Sequence, residues 1–397
     1  MKPLLGLEKG RVGLERAVEL ARRHLGLDVA YVAELTGGRQ VYRAVAGDAA
    51  SFKIELDGGP PLEQTYCHRL VTGEIPNVIQ DTSEAPAVAD LPITTDARIG
   101  AYIGVPLRLA DHSLYGTLCC LNHAPDPTLD GRETRFMSML GELIVDDLDE
   151  ERRSERMRTE IEELIETERV EVAYQPIIDL RTERCIGLEA LARFPTPFPE
   201  PEEMFAASAT VGLGLQLERL MVQRAWKTLD RLAPGQFLAL NLTPRSLLEL
   251  ARVANQRDEV PLDRLVVEVT EHAAVDSYGP LRKELAPLRL RGLRIAVDDA
   301  GAGYASLRHV LELRPDFVKL DRSLCDGIAD DHARRVAVSG LVLLARDIGA
   351  SVIAEGVEVA TDLTTIRGLG IDAVQGYLLG RPSTDQGELE RWTETSP

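Results

Sequence analysis

From about residue 170 onward the chain repeats one pattern eight times: a short apolar run, most often ending in a polar residue, and then a segment that leads to the next run. The runs are "VEVAYQPII", "CIGLEALARF", "FLALNL", "LVVEVTE", "LRIAVDD", "FVKLD", "SVIAEGVE" and "AVQGYLL". Helical candidates such as "ERLMVQRAWKTLDRL", "GPLRKELAPLRLRG" and "ARRVAVSGLVLLARDIG" sit in the gaps. Neighbouring parallel strands require such crossovers, and eight strand–helix units at this size predict an α/β TIM-type (β/α)8 barrel. The first gap departs from the rule, because only "DLRTER" separates Ile178 from Cys185. That is too short for a crossover helix, so the first strand is expected to run antiparallel, paired with the second as a hairpin.

Barrel active sites lie at the carboxyl ends of the parallel strands. The polar residues there are Glu189, Asn241, Glu268, the adjacent pair Asp298 and Asp299, Lys319, Glu355 and Gln375. One acid at a strand end is usually a cap or a solvated loop group; a polar residue on seven successive strands is not explained that way. Two neighbouring carboxylates cost stability unless a cation or a shared proton relieves them. Hard oxygen donors without His or Cys select Mg²⁺ or Mn²⁺ over zinc. The set is large enough for two such ions, with one aspartate of the pair bridging them, and paired ions serve in-line phosphoryl displacement. Phosphodiester hydrolysis is the chemistry that uses all of these groups.

The segments "EALAR" (189–193), "NLT" (241–243), "EVTE" (268–271), "DDAGAGYASL" (298–307), "KLD" (319–321), "AEGVE" (354–358) and "QGYLLGRP" (375–382) occur in order. Together they resemble the EAL family of cyclic di-GMP phosphodiesterases, over residues 160–397. The resemblance implies hydrolysis of cyclic di-GMP to linear pGpG by metal-activated water, with two divalent cations, Mg²⁺ or Mn²⁺, as cofactors. It implies that Glu189, Asn241, Glu268 and Asp298 hold one cation and that Asp298, Asp299 and Glu355 serve the other. Lys319 would hold the nucleophilic water, and Glu271 would anchor the loop after the aspartate pair; with Glu189 and Glu355 these form the catalytic set. Arg193, Leu191, Gln175, Gln375 and Asp321 would contact or frame the substrate, Arg193 at a phosphate and Asp321 in support of the metal shell. The family loop reads Asp-Asp-Phe-Gly-Thr-Gly-Tyr-Ser-Ser-Leu, whereas this chain has Ala300, Ala302 and Ala305 in place of Phe, Thr and Ser. None of the three is a ligand, so the departures bear on rate and regulation. A cyclic di-GMP receptor without catalysis is the second reading, disfavoured by the intact acid set. A metal-dependent lyase barrel would explain the acids but not the ordered motifs, and no diguanylate cyclase signature is present.

The first 150 residues read differently. A helix ("GLERAVELARRHLG"), a strand pair, a helical stretch around "EQTYCHRLVTG", two further strands and a last helix predict an α+β domain with an antiparallel sheet. That layout, with "IGAYIGVPL" and "YGTLCCLN", resembles a GAF domain, a sensor module whose small-molecule ligand, if it takes one, the sequence does not specify. Cys67 and His68 form a pair of the kind seen in bilin-binding members, but packing of a buried thiol is the favoured reading. A charged segment without Gly or Pro then joins the halves, with Ile144, Leu148, Met157, Ile161, Leu164 and Ile165 near helical spacing. The stripe fits a coiled-coil partner, hence a homodimer through this helix and the barrel, or packing as a linker on its own domain. A net charge of −19 argues against a nucleic-acid polymer as partner. Five cysteines without zinc spacing fit reduced thiols in the cytoplasm, and no run suits a secretion signal or a membrane span.

Overall fold

The computed structural model describes residues 5–196, 198–254, 261–269, 278–301 and 304–394. The chain divides into two compact units, Met1–Arg156 and Met157–Pro397. No helix among the described residues is long and apolar enough to cross a membrane.

The first unit is a five-stranded antiparallel sheet: β1 (Val29–Thr36), β2 (Arg39–Gly47), β3 (Val78–Ile79), β4 (Ala101–Arg108) and β5 (Leu114–Asn122), in the order β2-β1-β5-β4-β3. Strand alternation sorts its side chains to two faces. Ala30, Val32, Ile103, Val105 and Cys120 pack with Leu14 and Val18 of the first helix and Met137, Leu140, Ile144 and Leu148 of the last. Tyr31, Tyr102 and Cys119 face the other way, packing with Tyr42, Tyr66 and Cys67. The Cys67 thiol is fully buried, accepts from Thr117 Oγ1 at 2.9 Å and lies 3.9 Å from Cys119 Sγ. This is the predicted α+β arrangement, and its three buried cysteines are core residues.

The last helix of this unit, Gly131–Glu166, runs without a break into the second. Its later turns pack through Ile161 and Leu164 against Val170, Met204 and Leu217. The apolar stripe noted in the sequence is thus largely covered by packing within the chain. Met139 and Leu143, on a different face, are 66% and 62% exposed.

The second unit closes into an eight-stranded barrel of β6 (Glu171–Asp179), β7 (Cys185–Arg193), β8 (Phe237–Asn241), β9 (Leu265–Val269), β10 (Arg294–Ala300), β11 (Phe317–Leu320), β12 (Ser351–Ala354) and β13 (Ala373–Val374). All neighbours are parallel except β6, which is antiparallel to both β7 and β13. The reversed first strand follows from its short turn, where Asp179 Oδ1 accepts from the backbone N–H groups of Arg181 (3.1 Å) and Thr182 (2.6 Å). Such Asx geometry lets the chain reverse within a few residues.

Period-two alternation splits each barrel strand between two cores. Leu188, Leu238, Leu240, Val267, Val297, Val318 and Val352 face outward into the layer shared with the helices. Ile177, Phe237, Ala239, Val266, Ala296, Phe317, Ile353 and Ala373 form a separate apolar plug inside the barrel. The Phe237 and Phe317 rings lie with centroids 5.3 Å apart, tilted by 32°, and the Arg294 guanidinium lies 4.7 Å from the Phe237 ring centre. Gly187 supplies the space for this plug, since a Cβ there would stand 2.5 Å from the Phe237 ring. Overpacking of a filled core costs about 1–3 kcal/mol. Gly187→Ala is therefore expected to lower the unfolding free energy of the barrel, read from urea titration, by an amount in that range; an unchanged value would mean that the plug yields freely.

Candidate active site

One turn of the alternation above the plug, every interior position is polar. Ala239 is followed two residues on by Asn241, Val266 by Glu268, Ala296 by Asp298, Phe317 by Lys319, Ile353 by Glu355 and Ala373 by Gln375. On the reversed strand the step runs backwards, from Ile177 to Gln175, and Gln175 pairs in register with Glu189 of β7. The plug thus forms a dry floor, and the polar layer rests on it.

Lys319 occupies the middle of that layer. Its Nζ lies 2.6 Å from Glu355 Oε1, 2.8 Å from Glu268 Oε2, 3.1 Å from Asp298 Oδ1 and 3.5 Å from Glu189 Oε1. The lysine is 1% exposed, so these charges meet away from water. Burial opposes the charged lysine, but the four carboxylates, Asp298 foremost, outweigh it and hold its pKa well above the usual lysine range. One ammonium does not balance four carboxylates. Burial, reinforced by Glu189, pushes the Glu268 carboxyl well above the ordinary carboxylate range, and burial with Asp298 does the same to Glu355. Glu189 goes the other way: against the effect of burial, the Lys319 charge and the Gln375 hydrogen bond lower its pKa.

Amides orient Glu189. Asn241 Nδ2 donates to its Oε1 at 2.8 Å and Gln375 Nε2 to its Oε2 at 2.5 Å. Gln375 Nε2 also donates to Gln175 Oε1 at 2.8 Å, and Gln175 Nε2 reaches the Gly380 carbonyl at 3.0 Å. The Asn241 amide nitrogen is thus turned to Glu189, and its oxygen is the atom that could serve a cation.

Adjacent strand residues point to opposite faces, so Asp298 and Asp299 should not reach one site. The backbone resolves this: Asp299 has φ +52, in the left-handed region that Asp tolerates better than most residues. Its N–H donates to Asp298 Oδ1 at 3.1 Å, and the pairing of β10 with β11 shifts register between Val297 and Ala300. The Asp299 carboxylate thereby joins those of Asp298 and Glu355. Gly301 continues the turn with φ +110, and a Cβ there would lie 2.2 Å from Leu324 Cδ1. Gly356, after Glu355, has φ +64 and similarly rests against Arg322. The short helix Arg322–Cys325 thus braces both acidic strand ends, and Asp321 caps it, accepting from Ser323 N at 2.9 Å. This bracing was missed in the sequence, where a glycine one or two residues after the acid, Gly356 after Glu355 and Gly301 after Asp299, is its signal.

Two groups of carboxylates have donor oxygens within 4.8 Å of one another: Glu189 with Glu268 and Asp298, and Asp298 with Asp299 and Glu355. Asp298 belongs to both. The residues fit divalent cations on two grounds. The donors are hard oxygens, and Glu268 Oε1 is buried with no hydrogen-bond partner among the described residues. The other expected residues are placed as follows. Leu191 and Arg193 lie further along β7 on the Glu189 face, and Arg193 Nη1 donates to the Ala192 carbonyl at 2.7 Å. Glu271 and Ala302 lie outside the described residues, and Ala300 is buried at the end of β10.

The EAL domain sequence model matches residues 158–382, more than half of the chain. The chain belongs to the EAL domain family. A GAF domain model matches residues 12–148 ahead of the EAL domain. Among curated relatives, a cyclic di-GMP phosphodiesterase of Pseudomonas aeruginosa is 28% identical over 328 residues, 78% of this chain and 54% of that protein. The cyclic di-GMP phosphodiesterase RocR of the same organism is 30% identical over 55% of this chain and 59% of its own length. The chain spans about a third of the length of the first relatives it matches. Among solved structures, the MucR phosphodiesterase in complex with c-di-GMP is 27% identical, with a TM-score of 0.53 over 59% of this chain and 99% of that one. An EAL domain protein from Listeria monocytogenes gives 25% and 0.52 over 59% and 96%.

The crowding of carboxylates in this EAL site has a measurable consequence. In excess chelator, Glu268→Gln is expected to raise the Tm by about 2–4 °C, the shift that ~1 kcal/mol produces in a unit of this size. The amide keeps the neutral form that burial and Glu189 favour at this position, and it can donate to Glu189. The same variant should lose most of the Tm increase that Mg²⁺ or Mn²⁺ gives the native protein. A lower Tm in chelator with an undiminished metal response would contradict this electrostatic account.

Proposed function

We propose that this chain hydrolyses cyclic di-GMP to linear pGpG and that its GAF unit regulates the reaction. The observation that carries the reading is the convergence of eight strands on one layer, in which a buried lysine contacts four carboxylates and two clusters share Asp298. The family membership and the phosphodiesterases among its relatives support the choice of substrate.

Glu189, Asn241, Glu268 and Asp298 would hold one divalent cation, and Asp298, Asp299 and Glu355 the other. When bound, such ions neutralise phosphate oxygens and lower the pKa of water. Lys319 Nζ, a donor without acceptor capacity, holds the attacking water by its oxygen. Water adds to one phosphorus, the bond to the 3′ oxygen breaks, and the ring opens. Arg193, on the same strand face as Glu189, would contact a phosphate, and Leu191 lies between them. Gln175 and Gln375 keep Glu189 oriented, while Asp321 acts through the helix it caps.

Regulation is assigned to the continuous helix Gly131–Glu166, which belongs to both units. Since its stripe is largely covered within the chain, a homodimer would use other positions, such as Met139 and Leu143. A small molecule bound by the GAF unit is the proposed input. The five free thiols fit a reducing cytoplasm.

Incubation of the purified chain with cyclic di-GMP, with and without Mg²⁺ or Mn²⁺, followed by chromatographic separation of the nucleotides, tests the activity. Metal-dependent pGpG is expected; tight binding without product would make the chain a receptor. Glu189→Ala should abolish turnover. Lys319→Ala should lower kcat by about 10²–10³, the usual loss when one positioned donor is removed, with a smaller effect on substrate binding. Equal losses in both would remove Lys319 from the attacking water.

A further inference from the structure

We propose that Glu218 is a positioning residue for Asn241, acting through Thr243 to hold the amide in the orientation a cation requires. The inference rests on the reading of Asn241 as a metal ligand.

Glu218 sits on the helix Gly214–Trp226, outside the barrel wall, and is only 8% exposed. A buried carboxylate is costly unless hydrogen bonds compensate it. Here Glu218 Oε2 accepts from the Thr243 backbone N–H at 2.9 Å and from its hydroxyl at 3.2 Å. Thr243 lies two residues beyond Asn241 and opens the next helix, Pro244–Ala254: its Oγ1 accepts from Ser246 N at 3.3 Å and its carbonyl from Leu247 N at 2.9 Å.

The segment 241–243 is therefore tied in three directions. Asn241 Nδ2 bonds inward to Glu189 Oε1, Leu242 N bonds sideways to the Glu268 carbonyl at 3.1 Å, and Thr243 bonds outward to Glu218. The first two ties join the segment to residues of the metal clusters, and Glu218 fixes it from outside them. Without the outward tie, the strand end can rotate about its remaining contacts, and the Asn241 oxygen turns with it. Partners that orient a ligand from behind typically govern metal affinity by about 10–100-fold.

Mn²⁺ binding to the purified full chain, followed by the electron paramagnetic resonance signal of the free ion and without nucleotide, tests this. Glu218→Ala should weaken Mn²⁺ binding by about 10–100-fold, at the site that Asn241→Ala also weakens. Glu218→Gln, which keeps an oxygen acceptor for both Thr243 donors, should restore most of it. The double variant should bind no more weakly than Asn241→Ala alone, because one residue acts through the other. If Glu218→Ala does not fold, Thr243→Val removes the hydroxyl hydrogen bond, keeps the backbone one, and should give a smaller loss of the same kind. Unchanged binding in Glu218→Ala, or losses that simply add in the double variant, would overturn the proposal. Unchanged binding in Asn241→Ala would instead overturn the ligand assignment on which it depends.

Discussion

A buried ammonium surrounded by more carboxylates than it can neutralise is the constraint that organises the barrel. Lys319 could not stay charged at that depth without acids around it, and the acids could not crowd so closely without a cation among them. Such an arrangement needs a scaffold able to place single side chains from many strands at one height. Closed parallel strands do this through their alternation, and the apolar plug beneath keeps the layer from sinking into the core. The site is thus the polar half of a continuous interior whose other half is Phe237, Phe317, Val266 and Ile353.

The barrel was legible because its period is simple. Apolar runs of strand length, a first gap too short for a helix and a polar residue at each strand end carry both the fold and most of the site. Asn241, Glu268, Lys319 and Gln375 could be read from their places in those runs. The tertiary hydrogen bonds could not. Glu218 looks like any charged residue on an amphipathic helix, and only the fold brings it under Thr243. Asp321 read only as support for the site, and the hydrogen bonds by which it caps the short helix, from the Ser323 hydroxyl and backbone N–H, come from the fold. The brace formed by Arg322 and Leu324 under Gly356 and Gly301 likewise depends on packing between segments distant in sequence.

The GAF half was legible as a sheet with helices, since its strands alternate clearly. The fate of the helix stripe was not, because periodicity reveals a face but not what covers it. Ile144 and Leu148 pack into the sheet domain, and Ile161 and Leu164 into the unit that holds the barrel. One helix therefore contributes side chains to two separate cores.

The left-handed turn at Asp299 divides the acidic layer into two parts with different mechanical character. Glu189 and Glu268 stand within paired strands, and Asp298 follows directly on the last pair of β10 with β9. Asp299 reaches its cluster through a backbone at φ +52, two residues before Gly301, which packs against Leu324. One part of the layer is set by strand pairing and the other by a turn. A substitution at the end of β10, where Ala300 pairs with Leu320, can thus alter the turn that presents Asp299 while leaving Glu189 and Glu268 untouched.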